Sequence, residues 1–327
     1  MYKDINWDII FTTKGKRYRL ALLDSVRIVS SVNNLADTAE IVLPETVMNR
    51  PLDLEKKIVR GSEVSVLAGY NAEQLETEFT GYVREVVNTG GNLTIMCEDA
   101  LFLFRTGIAD KQLKQVNIQK IAQYVVSQID GSYSVDCDYN ITYEKFVIHS
   151  ATGYDVLKKI QEETHAHIWF DTANKVLHIH PAYLKKTGEV YYSMQMNIED
   201  SSLEFKNRQD DKLEVVVEST DIQGKVHKVT AGTTGGRRIS VKVGTMDQGS
   251  LQQLAKQILK QRSAPKYEGS FDTWLEPMVR PGYSARIKDE EYPDKTAWYY
   301  VESVETQISR SGGKRSITPG IKLASSK

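Results

Sequence analysis

Apolar and polar residues alternate through most of the first hundred positions. RYRLALLDSVRIVSSV and TAEIVLP carry β-branched residues with period-2 stretches, and EVSVLAGY, ETEFTGYVREVV and NLTIMCED continue the pattern. GYVREVV and NLTIMCE read as one hairpin, turned at Asn88-Thr89-Gly90-Gly91, where glycines supply the positive backbone angles of a tight turn. Strands at this spacing predict a small antiparallel barrel or sandwich, residues 1–104.

From residue 105 the period lengthens. In NIQKIAQYVVSQI the apolar positions Ile118, Ile121, Ala122, Val125, Val126 and Ile129 make one helical stripe, with Asn117 as its cap. SYSVDCD and YEKFVIHS are strand-like. TGYDVLKKIQEET opens with a capping box, Thr152 to Asp155, and buries Val156, Leu157 and Ile160. The hairpin HIWFD-TANK-VLHIHP closes a compact α+β module, residues 105–195.

Alternation then returns in LEFKNRQDDKLEVVVESTDIQGKVHKVT and RRISVKV. One helix interrupts, about 250–262, read as capped by Ser250 with Leu251, Leu254, Ala255, Ile258 and Leu259 on one face. The strands YEGSFDTWL, YSARI, AWYYVESVETQIS and KRSITPGIKL finish the third segment, 196–327. TAGTTGGRR, residues 230–238, has no apolar period and reads as a mobile loop or long hairpin tip.

A phrase repeats. VRGSEVSV (59–66) leads, after polar residues, into EFTGYVREVV, a glycine turn and NLTIMCE. VRPGYSARI (279–287) leads in the same way into AWYYVESVETQIS, a glycine turn and KRSITPGIKL. Each copy is one leading strand followed by a hairpin, a three-stranded meander that needs further strands to close it. The expected fold is therefore α+β and predominantly β: two related small antiparallel barrels flanking an α/β module.

Composition changes this picture little. Forty-two basic and 43 acidic side chains leave a net charge of −1, which argues against a dedicated nucleic-acid binder and lends no support to a local basic patch. No apolar run approaches the length of a membrane span, and MYKDINWDIIFTTKGKRYRL lacks the apolar core of a signal peptide, so folding in the cytoplasm without membrane insertion is expected. The two cysteines make no disulfide framework, and Cys97 shares a strand face with Leu93 and Ile95 as a small buried residue would.

Candidate chemistry concentrates in four histidines, His165, His167, His178 and His180. If TANK forms the loop, Asp171 opposes Val176, Ile168 opposes Ile179 and His167 opposes His180, so that His167, His178 and His180 share one face. Three imidazoles on one face can ligate zinc, but no carboxylate or cysteine at suitable spacing completes the set. The expected role is that of polar residues on a solvated or interface face, with no metal and no cofactor. Glu162-Glu163 and Asp289-Glu290-Glu291 fall at helix ends or turns, and no nucleophile elbow, Walker loop or dinucleotide fingerprint occurs. Trp274, Tyr283, Tyr292, Trp298, Tyr299 and Tyr300 read as core or subunit-contact aromatics, because their acidic neighbourhood opposes nucleic acid.

AEIVLP at 39–44, VRGSEVSVLAGY, EFTGYVREVV with its CED partner, EPMVRPGYSARI, WYYVESVETQIS and GGKRSITPGIKL together resemble the baseplate-hub proteins of contractile phage tails. This is the late control protein D family, related to the hub part of type VI secretion spike proteins. The resemblance covers almost the whole chain through the order barrel, α/β insertion, barrel. It implies a homotrimeric ring in which two tail-tube-like barrels per chain give pseudo-sixfold symmetry, a physical answer to a six-fold tail tube meeting a trimeric spike. Implied partners are the tail tube protein, a trimeric central spike protein and other baseplate proteins. No enzymatic activity, no cofactor and no specific nucleic acid are expected. Because the chain stops at Lys327 without a fused needle, the spike is expected to be a separate protein. The chain would be made in the bacterial cytoplasm and built into a virion tail baseplate or tail-like particle. A single-stranded nucleic-acid-binding barrel is the alternative reading, and a baseplate cell-wall hydrolase the third.

Overall fold

The computed structural model describes residues 4–44, 54–70, 75–89, 92–208 and 212–324. Strands dominate and helices are few, as the alternating pattern predicts. The chain divides into two compact units, one from Met1–Phe102, Gly188–Leu203 and Gly269–Pro319, the other from Leu103–Thr187, Glu204–Glu268 and Gly320–Lys327.

In the first unit both copies of the repeated phrase form the meander they predict. Glu63–Tyr70 pairs with Glu76–Thr89, which pairs with Asn92–Glu98. Tyr283–Lys288 pairs with Ala297–Ser309, which neighbours Gly312–Lys322. The turn residues Gly90 and Gly91 lie outside the described residues.

The likeness extends to single hydrogen bonds. Gly61 and Gly282 both adopt left-handed backbone, φ 85° and 89°, which glycine reaches without the clash a Cβ would meet. Gly61 N–H donates to Val83 O at 2.8 Å, and Gly282 N–H donates to Val301 O at 2.9 Å. One residue later, Ser62 N–H donates to Val59 O and Tyr283 N–H to Arg280 O. The two phrases are thus one local structure: a tight turn pinned to the long strand of its own hairpin.

The meanders are joined rather than separate. Ser25–Ser31 pairs with Ala297–Ser309 on one side and Thr38–Pro44 on the other, and Thr38–Pro44 pairs in turn with Asn92–Glu98. The result is one continuous antiparallel run, extended past Glu63–Tyr70 by Ile5–Thr13 and Lys16–Arg19. Among the described residues the strand order is an open path, and no pairing closes it into a ring. Thr38–Pro44 shows why it forms: alternate residues Ala39, Ile41 and Leu43 are buried, which is the period of a strand with one face in a core. That core gathers Val64, Val83, Ile95 and Cys97 from the first meander and Ile9 and Phe11 from Ile5–Thr13, with Leu275 and Ile308 from near the second.

The second unit mixes helices and small sheets. Asn117 accepts a hydrogen bond from Lys120 N and caps the helix Ile118–Ile129, and the capping box of Thr152 and Asp155 opens Gly153–Thr164. Their apolar stripes are buried as the spacing predicts, except that Ile129 is only partly buried. The third helix, Gln248–Ser263, starts earlier than its apolar face implied. Asp247, rather than Ser250, caps it by accepting from Ser250 N, and the buried Ser250 hydroxyl instead accepts from Thr142 N at 2.8 Å. Leu213–Thr220 lies between Val226–Gly232, antiparallel, and Arg237–Val243, parallel. TAGTTGGRR therefore supplies the ends of two strands and the short connection between them.

Segment 204–268 follows the 105–195 module in sequence, yet it belongs to the same unit. Glu144 N–H donates to Thr245 O, Thr142 N–H to Ser250 Oγ, and Tyr143 bridges to Met246.

Candidate functional site

The histidine hairpin forms in the register that the TANK loop dictates. Ala166–Asp171 and Val176–Pro181 pair antiparallel, with His167 opposite His180, Ile168 opposite Ile179 and Asp171 opposite Val176. Ile168, Phe170, Leu177 and Ile179 fill the apolar face. His167, Trp169, His178 and His180 share the other.

That second face, expected to be solvated or an interface, is largely buried within the chain. His180 is fully buried, His167 nearly so, and His178 half-buried. Trp169 stacks on His178 at 4.9 Å and 10° between planes, and lies 5.2 Å from the His180 ring. His167 meets the edge of the Tyr183 ring at 4.9 Å, and burial beside His180 drives its pKa down to about 3, so it is neutral at ordinary pH.

A carboxylate does complete the histidine set. Ser134–Cys137 pairs in parallel with Val176–Pro181, which puts Asp136 directly opposite His178. Asp136 Oδ2 lies 3.0 Å from His178 Nδ1, 3.3 Å from His180 Nε2 and 3.3 Å from Lys185 Nζ. Burial opposes charge on Asp136, but hydrogen bonds from Lys185 and His178 outweigh it and hold the carboxyl below its usual range. Burial likewise pulls His178 below the ordinary imidazole range, against the pull of Asp136. Asp138, two positions along and of the same parity, bonds His180 Nδ1.

Asp136, His178 and His180 thus converge, whereas His167 sits to one side against Tyr183. Sequence reasoning missed Asp136, Asp138 and Lys185. The D-C-D spacing in SVDCD, which sets two carboxylates on one strand face, is the local sign of the first two.

The remaining candidates resolve as structure. Asp289 accepts from Glu291 N and Tyr292 N and so makes a turn. Tyr299 and Tyr300 are core residues, while Trp274 and Tyr292 are about half exposed. Cys97 is buried, and its thiol pKa is pushed up to about 12, far from a nucleophile's. Among the described residues no helix is long and apolar enough to cross a membrane.

No protein-family profile matches the chain, and no curated protein matches it in sequence. Solved structures do match in fold. The tail protein from Neisseria meningitidis MC58 superposes with a TM-score of 0.69 at 16% identity, covering 96% of each chain. The 43 kDa tail protein of prophage MuSo2 from Shewanella oneidensis gives 0.63 at 14%, again over 96% of each. The Escherichia coli c3393 protein, described as a type VI secretion component structurally similar to the T4 tail proteins gp27 and gp5, gives 0.58 at 10%, over 97% of this chain and 79% of its own. The chain therefore has the fold of phage tail proteins along nearly its whole length.

Proposed function

We propose that this chain is a structural baseplate-hub component of a phage or phage-tail-like contractile injection particle, a homotrimeric ring that links the tail tube to the central spike. One observation carries the reading: two meanders in one chain, entered by the same glycine turn and pinned by the same hydrogen bond. A chain that carries two equivalent docking elements turns a ring of three into a ring of six near-equivalent positions. The whole-length likeness to proteins named as tail proteins supports the same reading.

In this proposal residues 1–104 and 196–327 each carry one tail-tube-like barrel, and residues 105–195 carry the α/β module. The late control protein D family is the proposed relation. The ring is made in the bacterial cytoplasm and built into the tail with tube, spike and other baseplate proteins. Its role is mechanical, without catalysis.

The test is co-assembly of the purified chain with its particle's tube and spike proteins, followed by electron microscopy. A three-subunit ring between tube and spike is expected. A chain that stays monomeric with both partners present, or that binds single-stranded nucleic acid with strong salt dependence, or that clears peptidoglycan, overturns the proposal.

A further inference from the structure

The convergence of Asp136, His178 and His180 invites a chemical reading of its own. Their donor atoms all lie within 4.8 Å of one another. Asp136 Oδ2 is 3.0 Å from His178 Nδ1 and 3.3 Å from His180 Nε2. A tetrahedron of ligands at about 2.0–2.1 Å from an ion has edges of about 3.3 Å, so these are the separations of neighbouring donors around one small cation.

We propose that Asp136, His178 and His180 bind one divalent first-row transition metal ion, zinc being the best match, with a fourth position left to water. Two imidazoles and one carboxylate suit zinc, cobalt, nickel or iron rather than magnesium or calcium, which prefer all-oxygen sets.

Independent features support the site. The His180 ring is fully buried, and its Nε2, though 3.3 Å from Asp136 Oδ2, makes no hydrogen bond. A buried ring nitrogen left in that state is costly, and a metal ion satisfies it. His180 Nδ1 is engaged by Asp138. That pairing of a carboxylate with the far ring nitrogen is how metal-binding histidines are held in one tautomer, and it turns the Nε2 lone pair toward Asp136. His178 is only half-buried and the Asp136 side chain is 41% exposed, which gives an ion a route from solvent. Lys185 Nζ at 3.3 Å from Asp136 Oδ2 supplies the positive charge that the carboxylate faces without metal. Binding at His178 Nδ1 must displace that ammonium and leave the ring proton of His178 on Nε2. The ion would tie Ser134–Cys137 to the hairpin strand beside it.

The test uses the full untagged chain, stripped with chelator and titrated with zinc chloride. Calorimetry and Trp169 fluorescence, sensitive through its stack on His178, both report binding. One zinc per chain is expected, with no response to magnesium or calcium. Asp136→Asn and His178→Gln should each lower affinity by more than about 100-fold, beyond the 10–100-fold loss expected for the positioning change Asp138→Asn. Lys185→Met should raise affinity, a gain that a purely structural lysine does not predict. Should the ligand variants misfold, X-ray absorption of the zinc-loaded wild-type chain must show imidazole in the coordination shell. Absence of stoichiometric zinc, equal binding by both folded ligand variants, or a shell without imidazole overturns the proposal.

Discussion

Arg315 offers a sharp test of how the two ends of the chain are joined in the first unit. Its guanidinium meets Glu78 through two contacts, Nη1 to Oε2 at 2.8 Å and Nη2 to Oε1 at 2.7 Å. Nε donates to Leu275 O and Nη1 also donates to Thr306 Oγ1. The two side chains are 2% and 3% exposed. At 2.7 Å and an effective dielectric near 20 the attraction is about 6 kcal/mol, and desolvation of both ions cancels most of it. The intact pair is therefore worth little, but half of it is expensive. Arg315→Met strands the Glu78 carboxylate and should cost about 3–5 kcal/mol. In a unit of about 170 residues that lowers the melting temperature by roughly 6–20 °C. Glu78→Met should cost as much, while the double variant should recover most of the loss, giving a coupling of at least about 2 kcal/mol. Urea denaturation in a Trp169→Phe background leaves Trp7, Trp274 and Trp298, all in this unit, as reporters. Single variants that each cost under about 1 kcal/mol, or losses that simply add, would refute a buried pair between the strands Glu76–Thr89 and Gly312–Lys322.

Gly61→Ala and Gly282→Ala should each destabilise the first unit by about 1–2 kcal/mol, because both positions need left-handed backbone; markedly unequal losses in thermal melts would break the equivalence of the two meanders. Asp99 is buried and its carboxyl is raised well above 3.8 by burial and by Asp37, while burial raises Asp37 itself to about 6. A raised acid favours folding while protonated, so this contribution is full below about pH 4 and is lost as pH rises through 6 and beyond. Asp99→Asn should therefore flatten the fall in stability over that window relative to wild type; an unchanged slope in pH-dependent urea titrations would contradict it. Thr152→Ala removes the side-chain cap of Gly153–Thr164 and should cost the second unit about 1 kcal/mol, read from Trp169 fluorescence.

Local signals were legible and distant ones were not. Asn117 and Thr152 announce their helices because a cap acts within one turn. The TANK loop sets the whole histidine register because side chains alternate strictly from a fixed turn. The cap of Gln248–Ser263 was misread because Asp247 and Ser250 are both good caps three positions apart, and only the structure shows Ser250 engaged by Thr142. Asp136 reaches His178 through a parallel pairing across some 40 residues, which no local pattern marks. Each meander could be read from its own alternation, but their union through Ser25–Ser31 and Ala297–Ser309 depends on strands at opposite ends of the sequence. Nothing around Arg315 in KRSITPG distinguishes a buried arginine from a surface one.

The central claim is that one chain supplies two docking elements so that three chains match a six-fold tube. The most direct measurement is the number of copies of this chain per particle, from electron microscopy of tails in which it carries a visible tag. Three copies in one ring at the tip of the tube, each spanning two of six tube positions, is the predicted result. Six copies, or a tail tip that lacks the chain altogether, would contradict it.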